Sequence, residues 1–299
     1  MAKEVRLDGI VVNSLQQAML LAQDGSHIQL SSGIFHDGGV LTVNFVTIEG
    51  VKGTHLQGFS TKGKGTLVIK GNNNEIKNIE CSHVSVKDNN GACVRFEGTN
   101  IKLTQVYFHD SEQGFLSGKN SGIIVIDNSR FERLGMAGQA HGIYVGSGEL
   151  YIKDSTFLSS KDEGHEIKSR AKKTVIHKAI VASLDGRDSR LVDVPNGGVL
   201  EITNSVFQQG NNTSNWNLIG YGLEGIKHNK NEIKIINNTF FLDRKNGNKL
   251  FHIRNQSIKT VISDNTIIGK LSGNKFDDSN QLYKSSKEAG LILSIPSIH

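Results

Sequence analysis

The chain has 299 residues, room for one large domain or two ordinary ones, and with 36% hydrophobic and 21% charged residues it is not globally disordered. Thirty-three Gly and 27 Asn against 2 Pro and 6% aromatics favour many short strands joined by tight turns and disfavour a helical bundle. The net charge of +5 fits an acidic polysaccharide at least as well as nucleic acid, because no basic run exceeds pairs such as Lys172-Lys173.

No apolar stretch is long enough for a membrane span. The opening MAKEVRLDG lacks the apolar segment of a signal peptide, although a leader already removed would leave the same start. Cys81 and Cys93 make neither a disulfide framework nor a cysteine zinc site.

Taken in order, residues 14–23, SLQQAMLLAQ, predict a helix capped by Ser14, with Leu15, Ala18, Met19 and Ala22 on one side. HIQLSSGIF (27–35) and LTVNFVTIEG (41–50) read as the first strands. A repeating unit then dominates: IKNIEC (76–81), LTQVYF (103–108), IDNSRF (126–131), IKDSTF (152–157), VIHKAI (175–180), ITNSVF (202–207), INNTFF (236–241) and ISDNTI (262–267). Its apolar column runs through Cys81, Phe108, Phe131, Phe157, Ile180, Phe207, Phe240 and Ile267.

Units this short leave no room for βαβ crossovers, so each reads as one coil of a solenoid with two or three strands. Asn128, Asp154, Asn204, Asn237 and Asp264 precede the column, where they would cap a bend and stack on one another. The expected class is all-β, with residues 1–50 as N-terminal cap and first coil, 51–270 as stacked coils and 271–299 as C-terminal cap or tail. The apolar segment GLILSIP (290–296) would shield the last coil or lie back along the barrel.

These units, with the opening SLQQAM…DGSHIQLSSGIF (14–35), resemble the right-handed parallel β-helix superfamily over roughly residues 10–270. That group contains pectate lyases, polygalacturonases, alginate lyases and epimerases, and phage tailspikes. The resemblance implies a right-handed parallel β-helix with an N-terminal capping helix. It does not extend to the subfamily signatures: GHE at 164–166 is not the GHG of polygalacturonases, and their aspartate pairs have no counterpart. The RxPxxR stretch of pectate lyases and the DPHD-like signature of alginate epimerases are also missing. GHEIKSRA (164–171) and SRLVDVPNGG (189–198) resemble a stretch of uncharacterised or polysaccharide-directed members of the group, a resemblance that implies no catalytic role.

A second strand series, ACVRFEG (92–98), GFLSGKN (114–120), HGIYVGS (141–147), HEIKSRA (165–171), SRLVDVP (189–195), NLIGYG (217–222) and LFHIR (250–254), supplies the candidate chemistry. With Val94, Leu116, Ile143, Ile167 and Leu191 inward, alternation turns Arg95, Tyr144 and Lys168 outward, followed by Lys119 and Arg170. His141 and His165 take equivalent positions on adjacent coils. The resulting patch of Arg95, Lys119, His141, Tyr144, His165, Lys168 and Arg170 is cationic and holds proton-transfer groups. It suits β-elimination on a uronate polymer, in which a base takes the C5 proton, cations hold the enolate-like charge and a donor protonates the leaving oxygen.

His141 or His165 suits the base, Tyr144 the donor or the base, and Lys168 is a third candidate base. Arg170, Lys168 or Arg95 would clamp the carboxylate. Glu166 is expected outward beside Lys168 and Arg170 as a binding or salt-bridge residue, and Trp216 as a stacking platform for sugar or an anchor for its loop.

Hydrolysis would require a carboxylate pair, for which Asp162, Glu163 and Glu166 face Asp185, Asp188 and Asp193 one coil away. Asp193 falls on the inward parity of this register, which marks either a structural role or a local shift. Asp162, Glu163, Asp185 and Asp188 are also candidate ligands for a Ca²⁺, which this reading allows without requiring any cofactor, or else solvated turn formers. The expected function is a polysaccharide lyase on an anionic glycan, met outside the cytoplasm: extracellular, periplasmic or at the cell surface. The rivals are a hydrolase or C5 epimerase on the same patch and a tailspike- or adhesin-like binding solenoid. Nucleic acid is not an expected partner, and the chain would act as a monomer or a homotrimer.

Overall fold

The computed structural model describes residues 3–255 and 257–297. The chain winds into a parallel β-solenoid whose coils contribute strands to three sheets of 12, 11 and 9 strands. One coil shows the path. Ile123–Asp127 lies in the first sheet, Arg130–Glu132 in the second and Ile143–Val145 in the third, and Glu149–Lys153 then returns to the first. Strands within each sheet follow one another coil by coil in parallel register, so equivalent residues stack in columns about 4.8 Å apart.

The apolar column lies in the second sheet. Cys81, Phe108, Phe131, Phe157, Val181, Phe207, Phe240 and Ile267 are in register and buried. Val181, not Ile180, fills the fifth place, since Ile180 pairs with Thr156 one residue earlier. Aromatic stacking follows from the register: Phe131 lies parallel to Phe157 at 4.8 Å and Phe207 near-parallel to Phe240 at 5.2 Å. Val181 separates the two aromatic pairs.

The bend between the first and second sheets is one left-handed residue, which explains the recurring Asn and Asp. Asn128, Asp154, Asn204, Asn237 and Asp264 all have φ between 45° and 58°. Capping and stacking reside mainly one position later than expected, in a buried ladder. Ser129 donates its backbone N–H to Ser155 Oγ, Ser205 to Asn238 Oδ1, Asn238 to Asn265 Oδ1 and Asn265 to Asn280 Oδ1. The bend residues contribute one such contact, from Asn237 Nδ2 to Asn204 Oδ1 at 2.7 Å.

Both ends are covered. The helix Leu15–Leu21 buries Leu15, Ala18 and Met19 against the strand Gly39–Leu41, with Ser14 Oγ accepting from the Gln17 N–H. Before it, Val5–Leu7 and Ile10–Val12 form an antiparallel hairpin that extends the first sheet. At the other end the tail returns along the second sheet as far as Arg130, whose guanidinium donates to the Pro296 carbonyl.

Cys81 and Cys93 are joined in a single buried disulfide that ties the second sheet to the third. Among the described residues no helix is long and apolar enough to cross a membrane.

Candidate active site

The site stands on the third sheet, where alternation sorts side chains into core and surface. Val94, Phe115, Ile143, Ile167, Val192, Ile219 and Phe251 stack inward. Beside them runs the column Arg95, Leu116, Tyr144, Lys168, Asp193, Gly220 and His252. Leu116 and Leu191 are therefore not the inward residues of the register; Phe115 and Val192 are. This correction moves Asp193 from the core parity to the column of Tyr144 and Lys168.

Tyr144, Lys168 and Arg170 converge. Arg170 Nε donates to Tyr144 Oη at 2.6 Å, and Lys168 Nζ lies 5.9 Å from the centre of the same ring. Arg170 is anchored further by Asn196 Oδ1 at 2.8 Å and by Glu224, 2.7 Å away. Lys168 Nζ is 3.9 Å from Asp193 Oδ2 and 3.8 Å from Glu224 Oε1, so the two carboxylate oxygens lie less than about 8 Å apart. Burial pushes the Asp193 carboxyl upward against the pull of Arg190 and Lys168. The hydrogen bond from Arg170 holds Glu224 below the usual carboxylate range.

Where the third-sheet strands begin, polar side chains form a second ladder. Gln113 Oε1 accepts the His141 N–H at 3.2 Å, His141 Nδ1 the His165 N–H at 3.1 Å, and His165 Nδ1 the Arg190 N–H at 3.0 Å. A ring nitrogen that accepts an amide N–H bears no proton, so each neutral imidazole carries its hydrogen on Nε2.

Burial, reinforced by the charges of Lys168 and Arg170, pushes His141 down to about 3. Burial followed by His141 takes His165 well below its ordinary value. Both rings are thus neutral near pH 7. They stack at 4.9 Å, and His141 also lies near-parallel to Tyr144 at 5.9 Å. His165 Nε2 faces Asp193 Oδ2 at 3.6 Å, whereas His141 Nε2 is buried without a hydrogen-bond partner among the described residues. In these tautomers the histidines donate at Nε2 and have no free nitrogen with which to accept a proton.

The structure separates the remaining candidates. Arg95 shares the outward column but lies two coils from Tyr144, roughly 10 Å away along the stack, beside Glu97. Lys119 is exposed in the turn after Gln113–Ser117, displaced from the strand face by the same register correction. Glu166 does not face outward: it is fully buried, accepting from the Ser160 N–H at 2.6 Å and the Ser160 hydroxyl at 2.8 Å, and so cannot touch a surface ligand. Trp216 is half exposed, with Lys249 Nζ 5.8 Å from its ring, at the start of the strand Asn217–Tyr221 and three coils above Tyr144.

Asp162 and Glu163 are exposed beside Arg187, and Asp185 is exposed. Asp188 is buried against the Ser183 hydroxyl, and burial pushes it up to about 7. These four carboxylates do not meet as a three-ligand group among the described residues.

Asp193 was named from the sequence only as a candidate of the hydrolytic pair, and Arg190, Asn196 and Glu224 were not assigned to the site. Glu224 lies in the long turn between Asn217–Tyr221 and Glu232–Ile236, where the extra length of the 33-residue repeat is spent. Tyr221, in the strand expected at 217–222, is buried, and its hydroxyl donates to the Gly198 carbonyl. The one available signal was the acid framed by glycines in YGLEG (221–225).

The sequence matches no family model, and no curated protein matches it. Among solved structures it is similar to the alginate lyase from Paenibacillus sp. str. FPU-7, at 17% identity and a TM-score of 0.51, over 91% of this chain and 95% of that one. At that identity the likeness shows a shared fold, a pectate-lyase-like parallel β-helix.

Proposed function

We propose that the protein is a polysaccharide lyase that cleaves a uronate-containing glycan by β-elimination on its third sheet. The observation that carries this reading is the Tyr144 hydroxyl held by Arg170 Nε at 2.6 Å, with Lys168 against the same ring. Elimination needs a base at C5, positive charge for the enolate-like intermediate and a proton for the leaving oxygen.

With both histidines lacking a free acceptor nitrogen, the base is Tyr144 as its phenolate, whose negative charge the Arg170 guanidinium offsets and which becomes the neutral phenol on taking the C5 proton. Lys168, a cation between Asp193 and Glu224, donates to the leaving glycosidic oxygen.

Beyond Arg170, a cleft lined by Lys172, Lys173, Lys227 and Lys230, with Glu149 and Glu201 among them, adds a surplus of cations beside which an anionic chain would lie. The name of the structural neighbour makes alginate the first polymer to test. A polymeric substrate and the Cys81–Cys93 disulfide both fit an extracellular, periplasmic or cell-surface setting.

A second reading, glycoside hydrolysis, is favoured by one observation. Asp193 and Glu224 lie 3.9 and 3.8 Å from Lys168 Nζ, no further apart than a hydrolase pair allows, with protonation tendencies pushed in opposite directions. Alginate, polygalacturonate, glucuronan and glycosaminoglycans, each with and without Ca²⁺, separate the readings. Ultraviolet absorbance from a new C4=C5 double bond, growing with new reducing ends, supports elimination. New ends without that absorbance overturn it in favour of hydrolysis, and silence on the whole panel overturns it in favour of C5 epimerisation or a binding solenoid.

A further inference from the structure

We propose that His55, Glu80 and His109 form a binding site for a transition-metal ion such as Zn²⁺, on the second sheet and apart from the candidate active site. The three residues lie on consecutive coils, on the strands Thr54–Gln57, Glu80–Ser82 and Tyr107–His109. Their ligand atoms all fall within 4.8 Å of one another. Glu80 Oε1 is 2.9 Å from His109 Nε2 and 3.5 Å from His55 Nδ1, spacings that ligands of one small cation adopt.

The surroundings of His109 constrain which of its nitrogens is available. His109 Nδ1 lies 2.6 Å from Asp110 Oδ2, and Asp110 is clamped by Arg133 through Nε at 2.8 Å and Nη2 at 2.7 Å. A carboxylate held by Arg133 accepts, so His109 carries its hydrogen on Nδ1 and turns the Nε2 lone pair toward Glu80. On the other side Ser82 Oγ sits 2.7 Å from His55 Nε2 and 2.6 Å from His83 Nδ1. Ligation through His55 Nδ1 requires that the hydroxyl accept from His55 Nε2–H, which leaves its own hydrogen to donate to His83 Nδ1.

Neutral imidazoles in these tautomers point lone pairs at a carboxylate, an arrangement that requires a cation between them. A proton on each ring supplies one answer and a metal ion the other. Two imidazoles and a carboxylate, with Asp110 and Ser82 orienting the rings from behind, match the donor preference of Zn²⁺ and its neighbours rather than Ca²⁺ or Mg²⁺. An ion there would clamp three successive coils.

The test is calorimetric titration of the chelator-treated full chain with Zn²⁺ alone at pH 7.5, alongside Glu80→Gln, His55→Asn, Asp110→Asn and Lys119→Ala. Circular dichroism on each variant checks that the fold is kept. Expected are one Zn²⁺ per chain and affinity at least about 100-fold weaker in Glu80→Gln and His55→Asn. Asp110→Asn should weaken binding by about 10- to 100-fold through ring orientation, and Lys119→Ala should match wild type. Saturating Zn²⁺ should raise the wild-type Tm and leave that of Glu80→Gln unmoved. Absence of saturable binding, or equal affinity in wild type, Glu80→Gln and His55→Asn, overturns the proposal and leaves a protonated imidazole–carboxylate cluster. Preference for Ca²⁺ over Zn²⁺ overturns it equally.

Discussion

Replacing His141 by Asn tests whether its ring is held neutral as a rung of the scaffold. The His141 pKa is about 3 in the folded protein, and a free imidazole titrates near 6.5. Below pH 6.5 the unfolded chain therefore binds a proton that the folded chain refuses, and stability falls as pH falls until the folded value is reached. Two pH units below the ordinary value, at 1.36 kcal/mol per unit, make the penalty from this ring about 2.7 kcal/mol at pH 4.5. That figure holds for any folded pKa well below 4.5. Asn removes the titration but keeps an oxygen in place of Nδ1 to accept the His165 N–H. Urea unfolding of both proteins at pH 7.5, 5.5 and 4.5 isolates the effect, because contributions from other groups cancel in the difference. The variant should gain on wild type by about 2–3 kcal/mol between pH 7.5 and 4.5. Parallel stability–pH curves would refute the claim that burial keeps this ring uncharged.

Tyr144→Phe should lower elimination on the responsive polymer by about 10²- to 10⁴-fold with the melting temperature nearly unchanged, and near-wild-type turnover would remove Tyr144 from the chemistry. Lys168→Ala should cost at least about 100-fold in turnover, measured by the same absorbance. Asp188→Asn should gain stability relative to wild type as pH rises from 4 to 7. Over that range the unfolded wild-type carboxyl ionises, while burial holds the folded one protonated up to about 7; denaturation midpoints showing no such trend would contradict the buried acid. Gly220→Ala places a Cβ 2.7 Å from Asp193 Oδ1 and 2.8 Å from Arg190 Cδ, and should cost about 1–3 kcal/mol in unfolding experiments by displacing that pair.

Legibility in the sequence follows how many neighbours decide a residue's place. Repeated phenylalanines marked the coils because each occupies the same site against the same neighbour, and the left-handed bend selected Asn and Asp without help from the rest of the chain. Tyr144 and Lys168 were legible as outward residues because the inward Ile143 and Ile167 precede them in otherwise unambiguous alternation. GFLS (114–117) and RLVDV (190–194) each offer two adjacent apolar residues, so either parity satisfies the core pattern. In both places the wrong choice displaced a neighbour, and in the second it hid Asp193. The opening hairpin carried a local signal that was passed over: Asp8-Gly9 sits at φ 50° and 83°, the two positive values of a type I′ turn. Glu224 had no local signal of comparable strength, since its partners Arg170 and Lys168 lie more than fifty residues earlier.

The histidine ladder connects that architecture to the proposed chemistry. Stacking coils requires each strand start to satisfy a backbone N–H from the next coil, and at two successive rungs the acceptor is an imidazole Nδ1. An amide or hydroxyl oxygen would serve the ladder equally well, as Gln113 does one coil below. Imidazole adds a second polar atom on the far side of the ring, at Asp193 for His165 and without a partner for His141. The same hydrogen bonds that fix the rungs therefore set the tautomer, deny both rings a base's lone pair and present fixed N–H donors beside Tyr144 and Asp193. In the proposed reaction proton abstraction is left to Tyr144, whose hydroxyl Arg170 hydrogen-bonds and the ladder does not. Scaffold and proposed site share a set of hydrogen bonds here, so substitutions at His141 that preserve the acceptor should separate folding from catalysis, whereas loss of the acceptor should damage both.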